Sequence, residues 1–206
     1  MKRKDKIIEQ ARVLFNAQGI DAISLKTIAK EMGISYGNVT YHFANKELLI
    51  QQLYQKMMEA HYTISQQFHE NNNLLEAIIL APLKTFDISF HYRFIFTDIA
   101  IISRKYPSIS NHQKELTANR MQAFLPLFEQ LKEQELFRKD IDTSQIQFLM
   151  QASGELRTFF FMKYATSDDS AILKTAKQAY FVHINQLLYP YLTPAGINIY
   201  QTLLKL

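Results

Sequence analysis

The sequence contains no cysteine, which removes disulfides and thiolate metal ligands and leaves nothing that suggests export. Glycine and proline are scarce, at five each among 206 residues, so no flexible or low-complexity linker is expected. Strand-like alternation bounded by turn residues is also missing, and the fold is therefore expected to be all-α. No apolar stretch approaches the ~20 residues that span a bilayer. The basic start Met1–Lys6 leads into an amphipathic helix and not into an apolar signal core. The protein is expected to be cytoplasmic, without a membrane partner. Catalytic patterns are absent as well. His61, His69, His91, His112 and His183 are scattered, with no His-Glu-x-x-His and no pair at i, i+4. No glycine-rich phosphate loop occurs, and Ser153-Gly154-Glu155 lacks the first glycine of a nucleophile elbow. No enzyme activity, metal or cofactor is expected.

What remains is a chain able to bury a sizeable core, with 48% apolar residues and a formal net charge of +4. The charge is unevenly placed. Residues 1–50 hold eight lysines and arginines against five acidic side chains, a net +3, and the longer remainder contributes +1. A basic head of this kind suits a phosphate backbone. Ile7, Ile8, Ala11, Leu14 and Phe15 fall on one face of a helix over about 4–18, and Gly19 stands where a positive-φ cap would end it.

The stretch from Ser24 to Leu49 organises the rest. Ile28, Ala29 and Met32 lie at helical spacing until Gly33 and Ile34 break the run. Ser24 and Ser35 are placed as N-caps of helices over 25–32 and 36–42. Ala29, Gly33 and Val39 occupy the positions that a helix-turn-helix requires: a small residue at the crossing, a glycine in the turn and a valine in the angle. Asn45 caps a fourth helix that reaches about Phe68. Hydroxyls of Ser24, Thr27 and Ser35 sit near helix N-termini, where free N–H groups already favour anions. Tyr41 and His42, at the end of the second helix of the motif, would clamp a strand, and Lys46 would bring a charge.

Tyr41-His42-Phe43, Asn45-Lys46 and Leu48-Leu49, with Ala29 to Ser35 before them, resemble the signature of TetR/AcrR-family transcriptional repressors. The resemblance covers roughly Lys6 to Leu53. It implies a helix-turn-helix DNA-binding head over 1–48 and a helical ligand-binding and dimerisation body over 49–206. It also implies that Tyr36, Gly37 and Thr40 face the bases, with Asn38 among the DNA-facing residues and Lys26 at the groove edge. The expected partners are a palindromic double-stranded operator, a second copy of the chain and a small-molecule effector.

In the body, Asn71-Asn72-Asn73 breaks the chain before a helix that Pro82 should kink or restart. A very apolar helix is expected over 92–105, and long ones over about 109–134, 144–164 and 170–189. A short helix over 195–204 follows Pro190 and Pro194. Aromatic residues exceed what a plain bundle needs. The resemblance implies an effector cavity between the middle helices, and Phe86, Phe90, Phe94, Phe124, Phe128 and Phe159, with Asp98 and Asn119 as polar members, are its expected lining for an apolar or aromatic ligand. Arg120, Glu155 and Arg157 are further polar candidates. By resemblance, the last two long helices form the dimer, through Met150, Ser153, Arg157 and Phe160 on one and Tyr180, His183, Ile184 and Leu187 on the other. Two other readings stand beside a ligand-released repressor: a DNA-binding regulator without an effector, and an all-α carrier or enzyme with a vestigial head.

Overall fold

The computed structural model describes residues 2–69, 73–167 and 169–205, and its regular elements are eleven α-helices and one 3-10 turn. The head comprises α1 (Arg3–Gln18), α2 (Leu25–Glu31) and α3 (Tyr36–His42). The long α4 (Lys46–His69) leads into a body of α5 (Leu74–His91), α6 (Phe94–Thr97), α7 (Ile99–Lys105), α8 (Pro107–Glu133), α9 (Thr143–Tyr164), α10 (Ser170–Leu188) and α11 (Pro194–Leu204). A 3-10 turn, Tyr189–Tyr191, joins α10 to α11. Of the expected loops, Asn71, Asn72 and Asp168 lie outside the described residues.

Local chemistry sets most helix boundaries. Ser24 and Thr27 form a capping box at the start of α2, and Asp142 and Gln145 form another at α9. Asn73 caps α5, Asp169 caps α10, and Thr193 caps α11 with Pro194 as the first helical residue. Gly19 ends α1 at φ 77° and Gly33 turns between α2 and α3 at φ 62°, conformations that a side chain resists.

Pro82 does not restart its helix: α5 runs through it, with the ring buried. One expectation about the body needs correcting. The stretch over 92–105 is not one helix but two, α6 and α7, divided at Asp98. The reason lies outside the stretch, because the Asp98 carboxylate accepts a hydrogen bond from the Ile20 backbone N–H at 2.6 Å. A residue serving a distant loop has interrupted the local helix.

The apolar interior forms three clusters. The first joins the head to α4, α6, α7 and the start of α8, with Phe15 against Phe94 at 5.4 Å between ring centres. It also contains Leu49, Ile50, Leu53 and Met57 of α4, so the packing runs across the expected boundary at 48/49. A second cluster gathers α5, the C-terminal half of α8, α9, α10 and α11. The third is aromatic: Phe86, Phe160, Phe161 and Tyr180 are all buried and in ring contact.

Candidate nucleic-acid interface

The α2–turn–α3 unit is fixed from beneath. Ile28, Ala29, Val39 and Phe43 are buried, and their helices face one core with α1 and α4. The upper surface of α3 is left to solvent. Tyr36, Gly37, Asn38 and Tyr41 are exposed, Tyr41 at 85%. An aromatic ring so open at the end of a short helix gains nothing from the protein core. The Tyr41 ring meets the His42 ring edge-on at 5.1 Å, so the two hold each other on one flank.

The hydroxyls near helix starts are engaged but accessible. Ser24 Oγ accepts from Thr27 N–H at 3.0 Å, and Ser35 Oγ accepts from Asn38 N–H at 3.2 Å. The Asn38 amide also donates to Ser35 Oγ at 3.0 Å. Thr40, half-exposed, returns its hydroxyl to the Tyr36 carbonyl at 3.2 Å. Lys26 holds its ammonium 5.8 Å from the centre of the Tyr36 ring, which places a cation beside the start of α3. Ten of the eleven expected DNA-facing residues therefore lie together on or beside the exposed side of α2 and α3.

Lys46 does not. Its ammonium turns inward and donates to the carbonyls of Ile20 and Ile23, at 2.8 and 3.0 Å. Burial lowers its pKa, against an opposing pull from Asp21. The expectation of a phosphate ligand is thus met by a brace: Lys46 ties the first turn of α4 to the loop between α1 and α2, because those carbonyls have no helical partner.

That loop is also the joint between head and body. Its other side is held by Asp98 through Ile20 N–H, and Asp21 accepts from Lys105 of α7 at 2.8 Å. Burial raises the Asp98 carboxyl, and the Ile20 bond opposes that shift. A Cβ on Gly19 would stand 3.4 Å from the Asp98 carboxylate. Nearby, Arg12 and Asn16 both donate to the His91 carbonyl at 2.9 Å, and Phe94 N–H donates to Asn16 Oδ1 at 3.0 Å.

The expected pocket residues do not converge. Phe94 lies in the head cluster and Asp98 in the joint. Phe128 packs on Phe137 in the second cluster, while Asn119 is exposed. Phe86 and Phe90 stack on each other at 5.9 Å, and Arg93 covers Phe90 at 4.5 Å. Phe124 lies under Arg120 at 5.9 Å. Phe159 points to solvent, 68% exposed. An open groove of about 590 Å³ runs between α7, α8 and α9, lined by Ile99, Gln113, Thr117, Met121 and Gln147 among others; none of the expected pocket residues lines it.

Most of the expected dimer residues pack within the chain itself. Phe160 and Tyr180 are buried inside the chain's own aromatic cluster, and Ile184 packs against it. Met150 and Leu187 pack on the second cluster, and Arg157 donates to the Tyr180 hydroxyl at 2.9 Å. Ser153 is half-buried and returns its hydroxyl to the Met150 carbonyl, and only His183 is open to solvent. The outward face of α9 is instead Phe148, 67% exposed, with Phe159 and Met162, and Ile172 is exposed on α10. Each residue turns a helix by ~100°, so Phe159 and Phe160 meet different surroundings.

An all-α chain with a helix-turn-helix unit on a helical body has the build of a DNA-binding regulator. Residues 7–53 match a family model described as "Bacterial regulatory proteins, tetR family", and residues 52–200 match one described as "Bacterial transcriptional repressor". The chain belongs to the TetR family of transcriptional regulators, a family of regulators and not of enzymes. Among curated proteins it is similar to the biofilm operon icaADBC negative transcriptional regulator IcaR of Staphylococcus aureus (strain Newman), 29% identical over 120 residues, covering 56% of this chain and 58% of that protein. The IcaR of Staphylococcus epidermidis is 28% identical over 119 residues, 55% of this chain and 62% of that protein. The match thus spans less than two thirds of these relatives. A solved TetR-family regulator from Marinobacter aquaeolei VT8 superposes with a TM-score of 0.84, at 24% identity over 100% of this chain and 98% of that one. The ketosteroid regulator KstR2 of Mycobacterium tuberculosis gives 0.70, at 18% identity over 93% and 96%. Among the described residues no helix is long and apolar enough to cross a membrane.

Proposed function

We propose that the chain is a homodimeric, sequence-specific repressor that reads a palindromic operator with α3 and responds to a small molecule bound in its body. The observation that carries the DNA reading is the exposed side of α3: Tyr36, Asn38 and Tyr41 stand clear of a helix whose opposite side is locked into the core. In this reading Tyr36, Gly37 and Thr40 meet base edges. Ser24, Thr27, Ser35, Tyr41 and His42 meet phosphates, with Lys26 at the groove edge. Action as a repressor draws support from IcaR, which is a negative regulator.

TetR-family regulators act as dimers, and the apolar stripe Phe148, Phe159 and Met162 on α9, with Ile172 on α10, is the surface that suits a second copy. A twofold partner would bury side chains that are otherwise costly to leave in water. The effector would act through the joint at Asp98 and Ile20, since a shift of α6 and α7 moves the loop that carries the head. A ligand does this only through its different affinity for the two head spacings.

The test is operator binding by fluorescence anisotropy on a selected duplex. Tyr41→Ala is expected to weaken binding about tenfold, the size of one lost bond to a phosphate, with the melting temperature and dimer unchanged. Unaltered affinity would remove Tyr41 from the interface.

A further inference from the structure

A DNA duplex carries a negative charge about every 1.7 Å of its axis, and the helix-turn-helix unit has little positive charge to set against it. Residues 7–50 hold Arg12, Lys26, Lys30 and Lys46 against Glu9, Asp21, Glu31 and Glu47, which leaves no net charge. Two of those cations are already engaged. Arg12 donates its Nε–H to Glu9 at 3.0 Å and its Nη1–H to the His91 carbonyl at 2.9 Å. Lys46 ends on the carbonyls of Ile20 and Ile23. Lys26 and Lys30 are left, both exposed, beside a reading surface of neutral side chains. The head's excess of charge sits instead in Lys2, Arg3, Lys4 and Lys6 against Asp5, a net +3.

The fold carries this run to one end of the reading helix. Lys4, in the first turn of α1, holds its ammonium 5.6 Å from the centre of the Phe43 ring and donates to Gln52 Oε1 of α4 at 3.1 Å. Phe43 is the C-terminal cap of α3 and follows Tyr41 and His42 directly. Lys4 therefore seats the start of α1 against the junction of α3 and α4. Lys2, Arg3 and Lys6 flank it, exposed, and their side chains make no hydrogen bond or ion pair among the described residues. Lys6 N–H donates to the Lys2 carbonyl at 3.2 Å, so these cations share a single turn. Like charges one turn apart repel, and an anion laid across them relieves that repulsion.

We infer that the start of α1 is a second DNA contact, with Lys2, Arg3 and Lys6 on the phosphates that continue the strand past Tyr41 and His42. The inference rests on the reading by α3 proposed above and adds the charge that α3 lacks. Phosphates carry no sequence information, so α3 supplies the choice of sequence and α1 supplies much of the electrostatic affinity.

Operator anisotropy on the full chain tests this across a series of salt concentrations, with a selected duplex and a scrambled duplex of the same composition. The triple variant Lys2→Gln, Arg3→Gln, Lys6→Gln is expected to weaken both duplexes by one factor, roughly a hundredfold at about 0.1 M salt, and to make the slope of log affinity against log salt shallower by about 3. Its preference for the selected duplex and its melting temperature should equal those of wild type. A control, Lys114→Gln, Lys139→Gln, Lys205→Gln, removes the same charge from exposed positions on the body and should keep the wild-type slope.

A wild-type slope in the α1 variant, or an equal loss in the control, would overturn the contact. A loss confined to the selected duplex would do so too, because the three cations would then read bases. The two claims fail separately. If wild type holds both duplexes equally and the α1 variant loses both, the contact stands and the sequence-specific reading falls. A retained preference with an unchanged slope does the reverse, and no binding of either duplex would overturn both.

Discussion

Tyr41 and Lys46 lie five residues apart, and the head uses them in opposite ways. Tyr41 extends into water with the His42 ring beside it, whereas Lys46 ends on two backbone carbonyls under the protein surface. Their alanine variants should separate accordingly. Lys46→Ala frees two half-buried carbonyls and is expected to lower stability by about 1–3 kcal/mol, read as a lower melting temperature, with operator affinity lost only in step with unfolding. A normal melting temperature with weakened binding would return Lys46 to the DNA. Gly196 is a second residue whose role is steric: a Cβ there would sit 2.3 Å from the Leu136 carbonyl oxygen. Gly196→Ala should cost about 2–3 kcal/mol in chemical denaturation, and an unchanged midpoint would mean that α11 shifts freely. His61 sets a pH dependence. Folding holds its pKa near 4, below its ordinary 6.5, so between these values the unfolded chain binds the extra proton. Stability is then complete above about pH 6.5 and falls as pH drops toward 4, by at most about 3 kcal/mol. Thermal unfolding across that window should show the loss in wild type and a smaller one in His61→Gln.

At the scale of elements, the head was legible because its signals are local. Ser24, Ser35 and Asn45 cap their own helices, and Gly19 and Gly33 mark their own turns. The joint was not legible, since Asp98 divides α6 from α7 to serve Ile20, 78 positions earlier in the chain. Nothing near Asp98 in sequence announces that partner. The same holds for α9, where Phe159, Phe160 and Phe161 follow one another and carry no periodicity. Only the packing of α5 and α10 decides that Phe160 and Phe161 are buried and Phe159 is not. Hence Phe160→Glu is expected to unfold the aromatic cluster, whereas Phe159→Glu should leave the fold intact and convert a dimer to monomer in analytical ultracentrifugation. A folded Phe159→Glu dimer would place the interface elsewhere. Asp98→Ala should loosen the joint, so that effector no longer changes operator affinity although each still binds. A full response in that variant would route the coupling through other contacts.

The whole molecule joins a basic head to a nearly neutral body through a core that crosses between them. Such continuity makes the head's position depend on how the body packs, and twofold pairing turns that position into a spacing between two reading helices. Selection of bound sequences from a random duplex library at two salt concentrations tests this account most directly. The account predicts a palindromic consensus, whose binding falls steeply with salt as counterions return to phosphates that Lys26 and the rest of the basic head had neutralised. Enrichment of no sequence, with only weak binding at low salt, would contradict it.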